Sequence, residues 1–484
     1  MNYKMIGWIH ALILSVAAVF MLPALLICLF DGDSAATRAF LYTVMLTAAV
    51  AAALLLLCRG ASKSFSAREG LLCVSSCWLV VSILGCLPFV FSGAIPSFID
   101  ALFETVSGFT TTGASILSDV EALPRGLLYW RSFSHWLGGM GILVFLLAIA
   151  PISGRNDGST MHLLRAESPG PNVGKLVPRM KQTAKILYLL YILLTLLNIV
   201  FLLLGGMPLF DSVCTAFGTA GTGGFGIKND SIAGCSPYLQ NVCTVFMLLF
   251  GVNFNCYYLL LLRRFRNVLK DEELRLYIFT AVAGVALVAL NLRGVYATSG
   301  ETVRHAAFQV SSIMTTTGFS TVNFDLWPSF SKAILLCLMV TGACAGSTGG
   351  GFKCGRIVLL FKALRRNINE LIRPRRVQVV HQNGLPIDEK VLKNTYAYLS
   401  AYVGIVIISF LIVSLDGFSM TSNFSAVLAC FNNIGPGLDA VGPACNYAGY
   451  GVISKLVLII DMLAGRLEIF PILIWLSKGM WKRQ

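Results

Sequence analysis

Four short runs rich in threonine, asparagine and glycine lie between apolar segments and carry the clearest chemical signal in this chain. The runs are Thr110-Thr111-Thr112-Gly113, Ala220-Gly221-Thr222-Gly223-Gly224, Thr315-Thr316-Thr317-Gly318 and Asn432-Asn433-Ile434-Gly435. Irregular backbone persists at membrane depth only where it is buried in protein or lines water. There its carbonyl oxygens can replace the hydration shell of an ion. Four such runs in one chain predict a ring of backbone oxygens, which favours a cation pore.

The residue types in the runs also indicate the kind of ion. Glycine permits the unusual backbone dihedrals that an inward row of carbonyls needs, and threonine adds hydroxyl oxygens. A ring of carboxylates would suit a divalent ion, because such a ring binds it strongly. The four runs contain no acidic residue. We therefore expect a weak, multi-site path for a monovalent cation.

The composition is typical of a polytopic membrane protein. Of 484 residues, 56% are hydrophobic and 12% are charged, whereas about a quarter of the residues in a soluble domain are charged. The net charge of +14 comes from basic residues in loops between apolar segments, which the positive-inside rule explains. The sequence has no RNA- or DNA-binding motif, so we exclude nucleic acid as a partner.

The cysteines and histidines indicate neither a metal site nor an enzyme. Most of the 14 cysteines lie in apolar segments, as Cys73, Cys77 and Cys337 do, and no CxxC spacing occurs. In such positions cysteine behaves as a small hydrophobic residue. The five histidines are dispersed and the hydroxyls lack a base, so we expect no catalysis and no covalent cofactor. A disulfide bond between Cys235 and Cys445 is left open.

Hydropathy predicts about ten membrane spans in an all-α fold. We interpret the first as a retained span, because no small-residue cleavage site closes a short apolar region. The first two spans form a hairpin, and the other eight form four pairs that each enclose a short apolar helix and one run. The predicted spans are 6–30, 38–58, 70–92, 127–150, 184–206, 238–262, 274–292, 331–361, 394–415 and 451–477.

Internal similarity supports a repeated unit of span, short helix, glycine run and span. The segment 103–107 precedes the first run, and the similar segment 308–312 precedes the third run at the same offset. Asp100 and Asp211 each lie thirteen residues before a glycine of a run. The predicted division is an N-terminal hairpin and four re-entrant pore repeats, with the ranges 1–62, 63–182, 183–270, 271–390 and 391–484.

Loop charge predicts the orientation. The basic residues fall on one side of the membrane if both termini are cytoplasmic, and the densest basic loop extends from Lys362 to Lys393. The four runs then enter from the outer face. Acidic residues on that face, such as Asp119, Asp230 and Asp325, either concentrate cations or are ordinary solvated surface.

Six motifs together carry a family resemblance. They are FETVSGFTTTGAS at 103–115, FGTAGTGGFGIKND at 217–230, SSIMTTTGFSTVNFDLWP at 311–328, GACAGSTGGGFK at 342–353, CFNNIGPGLDAVGP at 430–443 and AGRLEIFPILI at 464–474. The chain resembles the Trk/Ktr/HKT superfamily of potassium transporters over about residues 70–480, and most closely its bacterial TrkH/TrkG branch, whose N-terminal two-span hairpin it shares. The resemblance implies a monomeric pore of four M1-P-M2 repeats arranged pseudo-four-fold around one pathway.

The resemblance also implies one selectivity-filter glycine in each repeat. By position these are Gly113, Gly224, Gly318 and Gly435. The second repeat departs from the Thr-Thr-Thr-Gly pattern, so its register has two interpretations. Asp211 selects Gly224, which we prefer, whereas matching Phe217 to Phe109 selects Gly221. The carbonyls that coordinate K⁺ would come from Thr111, Thr112, Thr316, Thr317, Asn433 and Ile434.

A glycine-rich segment at 342–351 interrupts the second span of the third repeat. Glycine costs about 1 kcal/mol per helix position relative to alanine, so we expect this segment not to be continuous helix. By resemblance it is the family's intramembrane gate loop, and a close-packed glycine patch between helices is the alternative. A phosphate-binding loop is only weakly indicated, because Phe352 separates the last glycine from the lysine. The residues assigned to the gate are Gly346, Ser347, Thr348, Gly349, Gly350, Gly351, Lys353 and Arg466.

Arg466 lies in the last predicted span, where a charge is costly and usually functional. The resemblance implies that it projects into the pore beneath the filter and opposes cation passage. A salt-bridged structural arginine is the alternative, although Asp461 and Glu468 lie at poor helical spacings for such a pair. Lys353 and Arg356 either line the cytoplasmic mouth or extend to the membrane interface.

The predicted function is gated potassium uptake across the bacterial inner membrane, with K⁺ in the pore. The resemblance implies a homodimer with one pore per subunit. It also implies control by a separate cytoplasmic nucleotide-binding protein of the RCK type (TrkA-like), since the chain has no soluble sensor domain. The basic segment 365–376 either docks that partner or sets topology and touches anionic lipid. Proton- or sodium-coupled potassium symport is the alternative, because four glycines do not exclude coupling.

Overall fold

The described part of the chain is almost entirely helical. The structure is a computed structural model, and it describes residues 1–60, 66–141, 180–374 and 378–477. The first six helices are α1 (Tyr3–Asp31), α2 (Ser34–Leu57), α3 (Ala67–Gly85), α4 (Leu87–Phe91), α5 (Phe98–Phe109) and α6 (Arg125–Gly139). The next six are α7 (Met180–Leu204), α8 (Leu209–Gly221), α9 (Pro237–Phe250), α10 (Phe254–Leu261), α11 (Phe265–Leu269) and α12 (Glu272–Asn291).

The second half of the chain continues the same pattern of long and short helices. Its helices are α13 (Ser299–Met314), α14 (Ser329–Thr341), α15 (Cys354–Ile372), α16 (Glu389–Val413), α17 (Met420–Phe431), α18 (Val452–Arg466) and α19 (Phe470–Leu476). The only described strands form a small antiparallel hairpin, β1 (His381–Gln382) with β2 (Leu385–Pro386). The observed all-α architecture confirms the predicted fold class.

Six described helices are long and apolar enough to cross a membrane, and a seventh crossing is possible if one bent pair counts as a single span. Two of the six, α1 and α2, form the N-terminal hairpin. The hairpin is closed by Gly32, whose φ of +73° ends α1, and by the Asp33 side chain, which accepts hydrogen bonds from the first amides of α2. These two residues supply the helix-stop and helix-start signals that a tight connection needs.

The hairpin is attached to the helices that follow it. The backbone amide of Asn2, at the start of α1, donates to Glu69 at the start of α3, at 2.6 Å. Glu69 also completes a capping box with Ser66. Farther along α1, Cys28 and Ala24 lie against Gly126 of α6. The hairpin is therefore packed on α3 and α6.

The prediction of a continuous span at 238–262 is wrong. The helix ends at Phe250, and α10 begins at Phe254 with an 88° bend between the two. The backbone groups that the break releases are not left unpaired. The carbonyl of Gly251 accepts from the amide of Cys344 at 3.1 Å, and the amide of Phe254 donates to the carbonyl of Gly346 at 3.0 Å. The break is thus hydrogen-bonded to the glycine-rich segment that contains Cys344 and Gly346.

The predicted span 451–477 is also divided, between α18 and α19. Glu468 and Ile469 separate the two helices, with φ values of +56° and +68°. The span predicted at 331–361 is divided between α14 and α15 by non-helical backbone at 342–353. Residues 142–150 of the span predicted at 127–150 lie outside the described residues, as do 151–179 of the first predicted repeat. Cys235 and Cys445 are both free, so the disulfide bond left open by the sequence is not formed.

The packing of α1 on α6 makes a prediction at Gly126. A β-carbon there would collide with the Cys28 sulfur and would lie 2.7 Å from the Ala24 carbonyl oxygen. We expect Gly126→Ala to lower the free energy of unfolding by about 1–3 kcal/mol through overpacking. Thermal unfolding of the detergent-purified protein measures the change.

Gly404 in α16 supplies the matched control, because an added β-carbon there has no atom within 4 Å. Gly404→Ala should leave the unfolding temperature unchanged or raise it, since alanine is the better helix former. Equal destabilisation by the two substitutions would contradict the close approach of α1 and α6.

Candidate functional site

Four short helices, α5, α8, α13 and α17, each end in a turn of the same geometry. One or two residues past each helix end the backbone adopts a left-handed conformation, with φ between +53° and +59°, at Thr111, Thr222, Thr316 and Asn433. The next amide then donates to the carbonyl five residues earlier, at 2.8–2.9 Å, from Thr112, Gly223, Thr317 and Ile434. This pairing is the left-handed cap that satisfies helix-end carbonyls. The four runs are thus four copies of one turn.

Each turn ends at a glycine that also has positive φ. The values are +78° at Gly113, +73° at Gly224, +86° at Gly318 and +95° at Gly435. Gly221, the other residue considered for the second run, is instead the last residue of α8. Gly224 is the structural counterpart of the other three glycines.

The four glycines bring the turns together in a closed circuit. A β-carbon on Gly435 would lie 2.7 Å from the carbonyl oxygen of Thr112. A β-carbon added to any of the other three glycines would collide with a carbonyl oxygen of the next turn. Gly113 faces the oxygen of Gly223, Gly224 that of Thr317, and Gly318 that of Ile434. Each turn therefore touches the next, and the fourth touches the first. We call this arrangement the four-turn ring.

Side chains brace the four-turn ring from behind. The hydroxyls of Thr110 and Thr112 lie 2.8 Å apart, and those of Thr315 and Thr317 repeat that distance. The Asn433 amide donates to the Thr112 hydroxyl at 2.9 Å and so joins the fourth turn to the first. These hydroxyls are thus engaged with one another and with Asn433.

The electrostatics of the four-turn ring favour a cation. The C-terminal ends of four helices meet there, and each such end carries roughly half a negative charge from the helix dipole. The glycines of the ring also line an open cavity, together with residues that follow them such as Ser115 and Ser320. The ring thus opens, on the side of its glycines, toward a space that solvent can enter.

The glycine-rich loop at 342–353 lies against the opposite side of the ring. The Gly350 amide donates to the Thr316 hydroxyl at 2.6 Å. A β-carbon on Gly349 would lie 3.0 Å from the Thr315 carbonyl oxygen. A β-carbon on Gly350 would collide with the Asn432 carbonyl oxygen. The loop therefore contacts residues that precede the ring glycines, whereas the cavity is lined by the glycines and the residues that follow them.

Arg466 joins the loop to the ring. Its guanidinium donates to the Thr348 carbonyl at 2.9 Å and to the Thr111 hydroxyl at 3.2 Å. It also donates to the carbonyls of Gly138 and Gly139 at the end of α6, the latter at 2.6 Å. The arginine is thus held by oxygens of the loop, the first turn and α6, beside the residues that precede Gly113.

The other residues that the sequence analysis assigns to the gate lie within the same glycine-rich loop. Ser347 and Thr348 bond within or beside the loop, since Ser347 donates to Cys344 and Thr348 to Phe250. Gly346 and Gly351 take positive φ values that shape the loop. Lys353 donates back to the Gly349 carbonyl, and the expectation that it extends to the membrane interface is not met.

Arg356 forms an ion pair that sequence spacing does not reveal. Its guanidinium pairs with Glu468, 112 residues away, and lies 3.9 Å from the centre of the Tyr398 ring. Both members of the pair are largely buried. Arg356 therefore neither lines an open mouth nor extends to lipid, and Glu468 pairs with it rather than with Arg466.

The chain is similar to known proteins over nearly its whole length. The family model described as "TrkH: Cation transport protein" matches residues 36–482. The chain belongs to the TrkH family. The matched residues include the four turns, the glycine-rich loop and the last helices.

Curated relatives carry names that refer to potassium uptake. The "Trk system potassium uptake protein TrkH" of Escherichia coli K12 is 37% identical over 100% of both chains. The protein of that name from Salmonella typhimurium is 37% identical over 97% of both. A solved structure, the crystal structure of the potassium transporter TrkH from Vibrio parahaemolyticus, matches with a TM-score of 0.88 and 33% identity over 100% of both chains.

A buried ion pair that no sequence pattern predicts lies behind the first turn. Arg131 of α6 binds Glu104 of α5 at 2.6 Å, and its guanidinium lies 3.6 Å from the centre of the Phe225 ring. Glu104 also accepts from the amide of Ile116, and Arg131 donates to the Gly226 carbonyl. This pair ties the first turn to the residues just past the second. Glu104 lies in the repeated segment 103–107, but no feature of the sequence connects it with Arg131.

His135 forms a second link between the same two turns. Its Nε2 accepts from the amide of Phe225 at 3.2 Å, so Nδ1 carries the hydrogen and donates to the Gly108 carbonyl at 2.8 Å. Its ring leaves no room for a side chain on Gly223. The histidine therefore explains why the second run has glycine where two other runs have threonine.

Asp439 fixes the segment that follows the fourth turn. Hydroxyls of Ser419 and Ser422, at the start of α17, donate to its carboxylate and hold the pKa of Asp439 below its usual value. A lowered pKa means that this contribution to stability is present above the ordinary carboxyl pKa and is lost as pH falls through the lowered value.

The Arg131–Glu104 pair generates a stability prediction. Replacing one member of a buried ion pair leaves the other charge uncompensated, which costs about 3–5 kcal/mol. We expect Arg131→Met to lower the unfolding temperature strongly in detergent. Arg125→Met is the control, because Arg125 pairs with Asp31 at 3.2 Å on the exposed surface, where a pair contributes about 1 kcal/mol or less. Equal effects would show that the Arg131 pair does not hold the turns together.

Proposed function

We propose that this chain takes up potassium by letting the ion pass through the four-turn ring. The observation that supports the proposal most directly is the closed circuit of contacts from Gly113 through Gly224 and Gly318 to Gly435. The names of the relatives, as potassium uptake proteins of the Trk system, support the choice of ion.

In this proposal the ring acts as a filter of backbone oxygens. A potassium ion gives up water and is met by carbonyls that precede each ring glycine, while four helix ends stabilise its charge. The contributing carbonyls are those of Thr110, Thr111, Thr112, Ala220, Gly221, Thr222, Gly223, Thr315, Thr316, Thr317, Asn432, Asn433 and Ile434. No carboxylate lies in the runs, so binding stays weak enough for the ion to leave. The membrane potential supplies about 2.3 kcal/mol per charge per 100 mV.

We assign the gate to the glycine-rich loop and Arg466 together. The loop lies directly beneath two turns, and the Arg466 guanidinium lies beside the first. A positive charge at this position opposes a cation by roughly 4 kcal/mol at 4 Å in a medium of effective dielectric constant about 20. Passage would then require the loop and the arginine to move away from the ring.

We further propose that the protein lies in the bacterial inner membrane with both termini cytoplasmic, works as a homodimer, and is controlled by a nucleotide-binding partner of the RCK type. The phrase "Trk system" in the names of the relatives suggests more than one component. The end of α15 supports a docking role, because Leu371 and Ile372 are 83% and 70% exposed on the helix that also carries the basic Arg365.

The filter assignment predicts a loss of ion discrimination in Gly113→Ser. Serine strains the positive φ of +78° and collides with the Gly223 carbonyl oxygen, which must displace the oxygens of two turns. We expect the ratio of K⁺ to Na⁺ flux in proteoliposomes to fall about tenfold or more, which corresponds to roughly 1.4 kcal/mol.

Gly93→Ser is the matched control, because Gly93 has a similar φ of +75° but no atom within 4 Å of an added β-carbon. It should keep the wild-type ratio. An unchanged ratio in Gly113→Ser would contradict the filter. A K⁺ flux that stops when the proton and sodium gradients are both removed would instead favour the coupled symporter.

The gate assignment predicts different results for two substitutions of Arg466. Arg466→Ala removes the charge and the bonds to Thr348 and Thr111, so K⁺ flux without any regulatory protein should rise several-fold. Arg466→Lys keeps the charge and should stay much closer to wild type. Unchanged or lower flux in Arg466→Ala, in protein that remains monodisperse, would contradict a barrier at this position.

A further inference from the structure

Three potential metal ligands meet between α1 and α3, far along the chain from the four-turn ring. His10 lies on α1, and Cys73 and Cys77 lie one turn apart on α3. One ligand atom from each lies within 4.8 Å of the others. All 14 cysteines of the sequence lie in the described part of the chain, and in that part this is the only group of at least three such side chains.

The spacing of the two sulfurs matches a metal site better than a disulfide bond. The sulfurs of Cys73 and Cys77 lie 3.9 Å apart. A disulfide bond needs about 2.05 Å. Two thiolates on a tetrahedral zinc ion, with Zn–S of about 2.3 Å, lie about 3.8 Å apart. The observed distance is close to the S–S edge of a zinc tetrahedron, and the imidazole nitrogen, which lies within 4.8 Å of the sulfurs, would have to move inward to complete the site.

The imidazole is also oriented as a ligand. His10 Nδ1 lies 2.8 Å from the carbonyl oxygen of Ile6, which can only accept, so Nδ1 donates. In the neutral ring Nε2 then carries the lone pair, and the backbone of Ser76, which lies on α3 between the two cysteines, is also within hydrogen-bonding reach of the ring. Metal-bound histidines in proteins characteristically donate their other ring N–H to a carbonyl or carboxylate, which fixes the tautomer and the ring direction.

We propose that His10, Cys73 and Cys77 bind a zinc ion or a closely similar thiophilic divalent ion. Binding exchanges two thiol protons for the ion, so two thiolates, one neutral imidazole and Zn²⁺ form a centre with no net charge. A neutral centre suits this buried position, because an uncompensated charge would be costly there. Cu⁺ with the same ligands would leave one negative charge.

The position of the centre indicates what it would do. His10 lies seven residues into α1, roughly 10 Å from the start of the helix at 1.5 Å per residue. The starts of α1 and α3 are already joined by the hydrogen bond from Asn2 to Glu69. A metal bridge one level deeper would clamp the N-terminal hairpin to the first repeat.

The test measures metal bound to the full-length, reduced, detergent-purified protein. After incubation with Zn²⁺ and desalting, we expect one zinc per chain in the wild type and none in Cys73→Ser/Cys77→Ser. Cys86→Ser is the control, because Cys86 is equally buried at the end of α3 but outside the group, and should keep one zinc. No bound zinc in the wild type, or equal zinc in the wild type and the double variant, would overturn the proposal.

A second variant keeps the test decisive if the double variant does not fold. His10→Cys replaces the imidazole by a third thiolate at the same position. With Cd²⁺ as the probe, its thiolate-to-metal absorption should be about 1.5 times that of the wild type, whereas His10→Ala should bind at least tenfold more weakly. Equal absorption and affinity in all three proteins would exclude His10 as a ligand and overturn the proposed site.

Discussion

The contact of each ring glycine with a carbonyl of the next turn is the constraint on which the centre of this protein depends. Three threonines and one asparagine hold a left-handed backbone conformation that costs such residues energy, on the order of 1–3 kcal/mol each. In each turn of the ring, contacts on two sides oppose this strain. It persists because the hydrogen bonds of its own helix end hold it on one side and the neighbouring turn holds it on the other. A side chain on one glycine therefore disturbs two turns.

Backbone amides and carbonyls in the non-helical segments around the ring form hydrogen bonds with those of other non-helical segments. The break at 251–253 supplies partners for Cys344 and Gly346 of the glycine-rich loop. The ends of α6 and of α18 meet through Arg466 and the carbonyls of Gly138 and Gly139. Backbone groups released where these helices end thus form hydrogen bonds with another element. Non-helical backbone at membrane depth requires such partners.

The sequence revealed what is local and missed what is distant. The four runs, the preference for Gly224 and the glycine-rich interruption at 342–351 follow from residue type and spacing over a few positions. The break at 251–253 escaped notice because hydropathy averages over a window in which one glycine and one asparagine weigh little. The pairs Arg131–Glu104 and Arg356–Glu468 and the group at His10 join residues that lie 27, 112 and more than 60 positions apart. No periodicity in a single sequence reports such contacts.

The glycine-rich loop and the helix that follows it are tied to the end of α18 at two points, Arg466 and Glu468, which lie two residues apart. Arg466 binds the Thr348 carbonyl within the loop, and Glu468 binds Arg356 in the first turn of α15, which follows the loop. A displacement of α15 would pull on Glu468, and a displacement of the loop would pull on Arg466 two residues away. If the loop is the gate, a force applied to the exposed end of α15 reaches the loop and the arginine together. The two would then leave the ring in one movement rather than in sequence.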